Sequence, residues 1–248
     1  FHQCIAGPIV RYQTVAAEID DRKVTLTDLT NGIRRFSIGL AKKAILANGC
    51  ASVADTLLAN TQSATTAGLW LGMLFYMLQI YLDFSAYSDM AIGMGQMVGF
   101  HYLENFNYPY SSVSVQDFWR RWHISLGAWF KDYLLYPVSM SALCKKINKF
   151  TRKKWGNQVS RSLSVVIPAS CVWIVTGVWH GAASCFVLWG IYHGILIVSS
   201  GLFEIPIQKL CKFLHMDTEC FSFNLFRMAR TFMLSTIGRI FFAVSAGF

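Results

Sequence analysis

Acidic side chains are scarce in this 248-residue chain: 13 Asp and Glu stand against 22 Lys and Arg, and all charged residues together make up 14%. A water-soluble domain carries about a quarter charged residues. With 54% hydrophobic residues, 15% aromatics and a mean hydropathy of +0.40, the composition excludes an ordinary soluble fold and requires an integral membrane protein. No C-x-x-C pair is present. Cys4, Cys50, Cys144, Cys171, Cys185, Cys211 and Cys220 stand singly, several inside apolar runs. Neither a disulfide framework nor a zinc site is therefore expected, and the thiols read as small packing residues. The chain also has no G-x-S-x-G elbow, no H-E-x-x-H pair and no phosphate loop, which removes the common hydrolase, zinc-protease and nucleotide-binding readings. It begins with Phe1, shows no signal-peptide arrangement and closes on a hydrophobic run. The expectation is a single domain over residues 1–248, an internal or C-terminal portion of a longer polytopic chain.

The net charge of +9 invites a nucleic-acid reading, and its distribution opposes one. Lys145, Lys146, Lys149, Arg152, Lys153, Lys154 and Arg161 gather in one stretch without an acidic residue, as the positive-inside rule expects of a short cytoplasmic loop. Contact with anionic lipid heads or an acidic carrier is the other reading of that loop.

A membrane-crossing helix needs about 20 mostly apolar residues. Candidate spans cover residues 66–84, 162–179, 183–202 and 229–248, with a weaker one over 87–100. The G-M-G-Q-M-V-G run in the last of these reads as close helix packing through Gly95 and Gly99 rather than as a nucleotide loop. Residues 29–47 place Ile33, Phe36, Leu40 and Ala44 on one face. Arg34, Arg35, Lys42 and Lys43 are then expected at head-group level, as on an interfacial helix. Residues 115–135 are also helical in period but too polar to face lipid freely.

Polar residues embedded in apolar sequence carry the functional signal. Asp83 and Asp89 frame D-F-S-A-Y-S-D. They either cap or ion-pair at the interface or line a polar passage, because ionisable groups at membrane depth face a partner or a cavity. In Q-D-F-W-R-R-W-H-I-S-L, Asp117 and Arg121 are i and i+4, as are Trp119 and His123, so each pair shares a helix face. Arg120 needs an acceptor or the interface, and Trp122 precedes His123. The second Trp-His pair is Trp179-His180 in T-G-V-W-H-G-A, flanked by Gly177 and Gly181, where backbone can approach closely or the helix can open. A lone histidine in apolar sequence is more often a core residue. Yet a neutral buried imidazole also suits general-base chemistry on a hydroxyl. His193, about three and a half turns on, points away from His180 on an unbroken helix and ranks as secondary.

Four motifs follow one another along the chain: F-H-Q-C-I-A-G-P-I-V-R-Y; L-D-F-S-A-Y-S-D-M-A-I-G; E-N-F-N-Y-P-Y with D-F-W-R-R-W-H-I-S-L; and T-G-V-W-H-G-A with V-L-W-G-I-Y-H-G. In this order they resemble the membrane-bound O-acyltransferase superfamily, in particular its bacterial alginate O-acetyltransferase-like branch. The resemblance implies an all-α, polytopic transmembrane bundle with interfacial and re-entrant helices around a tunnel, in a bacterial inner membrane. It implies no tightly bound cofactor and no metal. The acyl donor is cytoplasmic, acetyl-CoA or a carrier-linked acyl group, and the acceptor is a hydroxyl of a cell-envelope or secreted polysaccharide. An extracytoplasmic acyltransferase- or esterase-like partner and surrounding lipids are expected, and nucleic acid is not. His180 falls on the catalytic histidine and His123 on the second motif histidine. Asp117, Trp119, Arg120, Arg121 and Trp122 would shape that site, with Trp179, Asp83 and Asp89 along the tunnel. The chain departs from the pattern at His2, at Y-P-V-S-M and at Phe242-Ala243. Two other readings remain: a transporter or channel lined by Asp83, Asp89, Arg120 and the histidines, and a scaffold that recruits an enzyme through the basic stretch.

Overall fold

The computed structural model describes residues 7–245, without the side chains of residues 158, 159, 161, 162, 204, 205 and 245. The F-H-Q-C-I-A start, with His2 and Cys4, and the Arg161 side chain lie outside that description. The described residues are mostly helical: α1 (Tyr12–Asp20), α2 (Leu26–Ala41), α3 (Asn48–Leu58), α4 (Thr66–Met97), α5 (Val115–Arg121), α6 (Ile124–Phe130), α7 (Tyr136–Met140), α8 (Ala142–His180), α9 (Ser184–Phe213) and α10 (Phe221–Ser245). The all-α expectation holds. α4, the 163–180 part of α8 and the first 20 residues of α9 are long and apolar enough to cross a membrane. The chain gathers into two compact units, one up to Pro109 together with Trp119–Leu126, the other Tyr110–Phe118 with the residues from Gly127 onward.

In the first unit, the 66–84 and 87–100 segments are one helix, because Asp83 and Asp89 are neutralised rather than breaking it. Lys43 lies 2.7 Å from Asp83, and Asp89 is held between Arg35 at 3.0 Å and Lys42 at 2.5 Å. This also corrects the expected placement of α2. Arg35, Lys42 and Lys43 meet carboxylates of α4 instead of standing at head-group level, while Ile33, Ile38 and Leu40 are exposed. Gly32, Arg35 and Gly39 of α2 thus face inward, while Ile33, Ile38 and Leu40 face outward and Arg34 stays exposed as expected; an apolar outer face is what lipid rather than water rewards.

Two glycines make the α2–α4 contact so close. A Cβ on Gly32 would lie 2.7 Å from the Gly93 carbonyl, and one on Gly93 the same distance from the Gly32 carbonyl. Close packing through glycine is therefore present, but at Gly93 rather than at the expected Gly95 and Gly99. Gly95 faces the Tyr102 ring. Gly99 ends α4 at φ +81°, where the Phe100 N–H reaches back to the Gly95 carbonyl at 2.8 Å.

In the second unit, the basic stretch is not a loop. Lys145 to Lys154 ride on the first arm of α8, which bends at Gly156 (φ +82°), open to space. Tyr136 to Met140 form α7, which continues the helical run from α6 and ends at Ser141. α10 contains the expected 229–248 segment up to Ser245, but it is not among the helices apolar enough to cross by composition alone. Its burial is inverted: Thr231, Ser235, Thr236 and Arg239 are buried, while Phe226, Met233, Ile240 and Val244 are exposed.

Candidate functional site

The 115–135 segment is not one helix. α5 stops at Arg121, and His123 adopts φ +47° before α6 begins at Ile124. The break comes from pairing with the preceding strand-like segment. Asn107 N–H donates to the Arg121 carbonyl at 2.9 Å, Ile124 N–H donates to the Asn105 carbonyl at 3.0 Å, and Phe106 bridges Trp122. The i, i+4 register expected to set Trp119 over His123 is thereby interrupted. The His123 ring meets Phe84 of α4 edge-on at 4.8 Å instead. Trp122 is buried against Phe106 at 5.1 Å.

Asn105 governs this imidazole. Its Oδ1 accepts from Ser125 N at 3.1 Å, from Ser125 Oγ at 2.9 Å and faces His123 Nδ1 at 3.0 Å. A backbone N–H can only donate, so the amide oxygen, not its nitrogen, occupies this position. Nδ1 therefore carries the proton, and the Nε2 lone pair is left for other work. Burial pushes the His123 pKa down to about 4, so the ring is neutral at neutral pH. Asn105 was missed in the sequence because E-N-F-N-Y-P reads as a polar loop. Its only signal was its place within one of the four motifs.

His180 is the last residue of α8. Gly181 ends the helix at φ +154°, and a Cβ there would meet the Phe186 ring at 2.8 Å. The helix does not open at Gly177. That glycine instead admits α9, whose Phe186 carbonyl would lie 2.6 Å from a Cβ. The half-buried His180 ring is surrounded by aromatic edges and faces: Trp179 at 4.9 Å, Trp189 at 4.9 Å, Phe242 at 5.0 Å and Phe186 at 6.2 Å. The Phe242-Ala243 departure thus supplies one wall of this cage, and Trp179 is itself more than half exposed.

The break between α8 and α9 also corrects the reading of His193. The two histidines lie on different helices, and His193 packs against the other side of the company His180 keeps, 5.0 Å from the same Trp189. It is 2% exposed, and its Nε2 would be 2.5 Å from a Cβ on Gly238 of α10. Arg239, buried one residue further along, lies 5.2 Å over the Phe242 ring. Neither residue was reachable by helical periodicity.

The remaining expected residues distribute as follows. Asp83 and Asp89 belong to the first unit and are the ion-pair partners described above; Trp119, Arg120, Arg121 and Trp122 share that unit with His123. Arg120 is exposed, and Trp119 and Arg121 are half-buried. Asp117, half-buried, belongs to the second unit with Trp179 and His180, where its N–H donates to Ser114 Oγ at 3.1 Å.

Residues 1–246 match the family model described as MBOAT, membrane-bound O-acyltransferase family. The chain belongs to that family. Among curated relatives, a probable alginate O-acetylase AlgI of Pseudomonas syringae pv. tomato is 38% identical over 98% of this chain and 41% of its own length. A peptidoglycan O-acetyltransferase of Helicobacter pylori is 37% identical over 79% of this chain and 35% of its own length. A teichoic acid D-alanyltransferase of Bacillus subtilis is 31% identical over 80% and 49%, respectively. The chain thus spans less than half the length of each of these relatives. Apolar helices and family membership together make it a membrane protein.

Proposed function

We propose that this chain is the histidine-bearing part, a single domain, of a multi-pass bacterial inner-membrane O-acyltransferase. It moves an acetyl group from a cytoplasmic thioester, acetyl-CoA or an acyl carrier, to a hydroxyl of a cell-envelope or secreted polysaccharide. Similarity to relatives named for alginate and peptidoglycan acetylation supports the acceptor class. The observation that carries the reading is His180: a half-buried imidazole at a helix end, among four aromatic rings, in a chain of this family.

In that reaction His180 takes the proton of the acceptor hydroxyl as its oxygen attacks the acetyl carbonyl. The C–S bond breaks, and the thiolate leaves with the proton that the imidazole returns. The aromatic walls exclude water, which otherwise competes as acceptor. His123, neutral and with Nε2 free of the Asn105 contact, orients substrate along the tunnel. Asp117, Trp119, Arg120, Arg121, Trp122 and Trp179 shape the surroundings of the two histidines. An extracytoplasmic partner protein completes the assembly.

His180→Ala in the full-length protein is expected to lower acetyl transfer at least about 100-fold while the protein still accumulates in the membrane. Undiminished acetylation by that variant would overturn the reading.

A further inference from the structure

The first unit holds a cavity of about 570 Å³ to which the reaction above assigns no step, walled by Lys42, Tyr81, Ser88, Asp89, Asn105 and Tyr108 among others. That is within the range of small-molecule sites, about 300–1,000 Å³. Two of its wall residues carry an unmet demand. Asn105 is 1% exposed and Ser88 2%. Asn105 Nδ2 and Ser88 Oγ have no hydrogen-bond partner among the described residues and lie just beneath the cavity wall, so a ligand reaches them once the side chains over them shift. The orientation of Asn105 is fixed by Ser125 N–H, so the amide NH2 cannot be turned to satisfy itself. Leaving such groups unpaired destabilises the empty site, and a bound ligand with matching groups removes that cost.

The charges on the wall narrow the ligand. Lys42 is engaged by Asp89 at 2.5 Å, and Arg35 joins Asp89 to Glu104 at 3.0 and 2.5 Å. The cations are therefore matched by carboxylates, and little net positive charge is left to hold a phosphate. Phe106 and Ile124 join the two tyrosines on an apolar part of the wall, but the carboxylates and amides beside them disfavour an acyl chain. What remains is a wall that alternates carboxylate acceptors with amide, hydroxyl and ammonium donors beside the Tyr81 and Tyr108 rings. Hydroxyl groups both donate and accept, and the C–H face of a sugar ring packs on an aromatic face.

We infer that this cavity is a saccharide-binding site in which Asn105 Nδ2 and Ser88 Oγ hydrogen-bond ring hydroxyls or ring-substituent oxygens. Asn105 then holds the saccharide with its nitrogen and His123 with its oxygen. That the saccharide is the acetyl acceptor rests on the function proposed above; the binding itself does not.

Saturation-transfer NMR on the full-length protein in nanodiscs tests this with three probes: a mannuronate tetrasaccharide, a β-1,4-linked N-acetylglucosamine tetrasaccharide and inorganic phosphate. At least one saccharide should bind. Ser88→Ala should weaken it about threefold to tenfold, the value of one hydrogen bond, with thermal stability unchanged or raised because an unpaired buried hydroxyl has been removed. Asn105→Asp, which keeps the oxygen toward Ser125, should also lose affinity. Failure of both saccharides, displacement of a bound saccharide by phosphate, or equal affinity in Ser88→Ala and Asn105→Asp overturns the site. Saccharide binding without acetylation would overturn only the acyl-transfer reading; acetylation unchanged in Ser88→Ala, with no measurable binding, would overturn only the cavity.

Discussion

His123 Nδ1 lies 3.0 Å from Asn105 Oδ1, the oxygen that also receives the N–H and the hydroxyl of Ser125. One side-chain amide thus fixes the tautomer of a motif histidine and the turn that carries it. This gives the imidazole a defined base nitrogen with no carboxylate partner among the described residues, and burial lowers its basicity.

Asn105→Ala should accordingly destabilise the protein by about 1–3 kcal/mol for each buried donor left without its acceptor. Thermal unfolding in detergent reads this directly. Nitrogen NMR of the labelled ring should show His123 changing from one tautomer to a mixture. An unaltered tautomer in a folded Asn105→Ala protein would sink the assignment.

Two histidines outside the spanning helices give stability opposite dependences on pH. His123 has its pKa lowered to about 4 by burial, so between about 6.5 and 4 the unfolded chain binds a proton that the folded one does not. Its contribution is complete above about pH 6.5 and declines as pH falls toward 4. His101 is raised, first by its hydrogen bond to Glu18 and further by Asp28. Its contribution is complete below about pH 6.5 and is lost as pH rises through the raised value. Stability profiles should flatten on the acid side in His123→Gln and on the alkaline side in His101→Gln, the second effect being small because the pair is exposed.

The α2–α4 seam predicts contrasting glycine substitutions. Gly93→Ala puts a methyl 2.7 Å from the Gly32 carbonyl and 2.8 Å from the Phe36 nitrogen, backbone atoms that cannot yield, so it should cost about 1–3 kcal/mol. Gly49→Ala, in α3 with nothing within 4 Å, should be neutral or stabilising by up to about 1 kcal/mol. Equal melting temperatures for the two variants would refute the seam.

Composition and hydropathy alone were enough to place this chain in a membrane, because 14% charge cannot solvate a domain surface of this size. Three spans and the two Trp-His pairs were legible for the same reason, since apolar length and a misplaced imidazole are local properties. Helical period also called residues 115–135 one helix and set His193 aside. Both readings failed at a backbone event that period does not encode: the pairing of residues 105–107 with 121–124, and the stop at Gly181. The direction that α2 and α10 face was likewise decided by tertiary structure. A polar stripe points outward in water and inward in lipid, and only the partners, Asp89 for Lys42 and the buried surroundings of Ser235 and Arg239, settle which holds. The sequence named His123 and His180. The folded chain decided that Asn105 serves the first and that Trp189 joins the second to His193, because contacts between residues far apart in sequence leave no periodic trace.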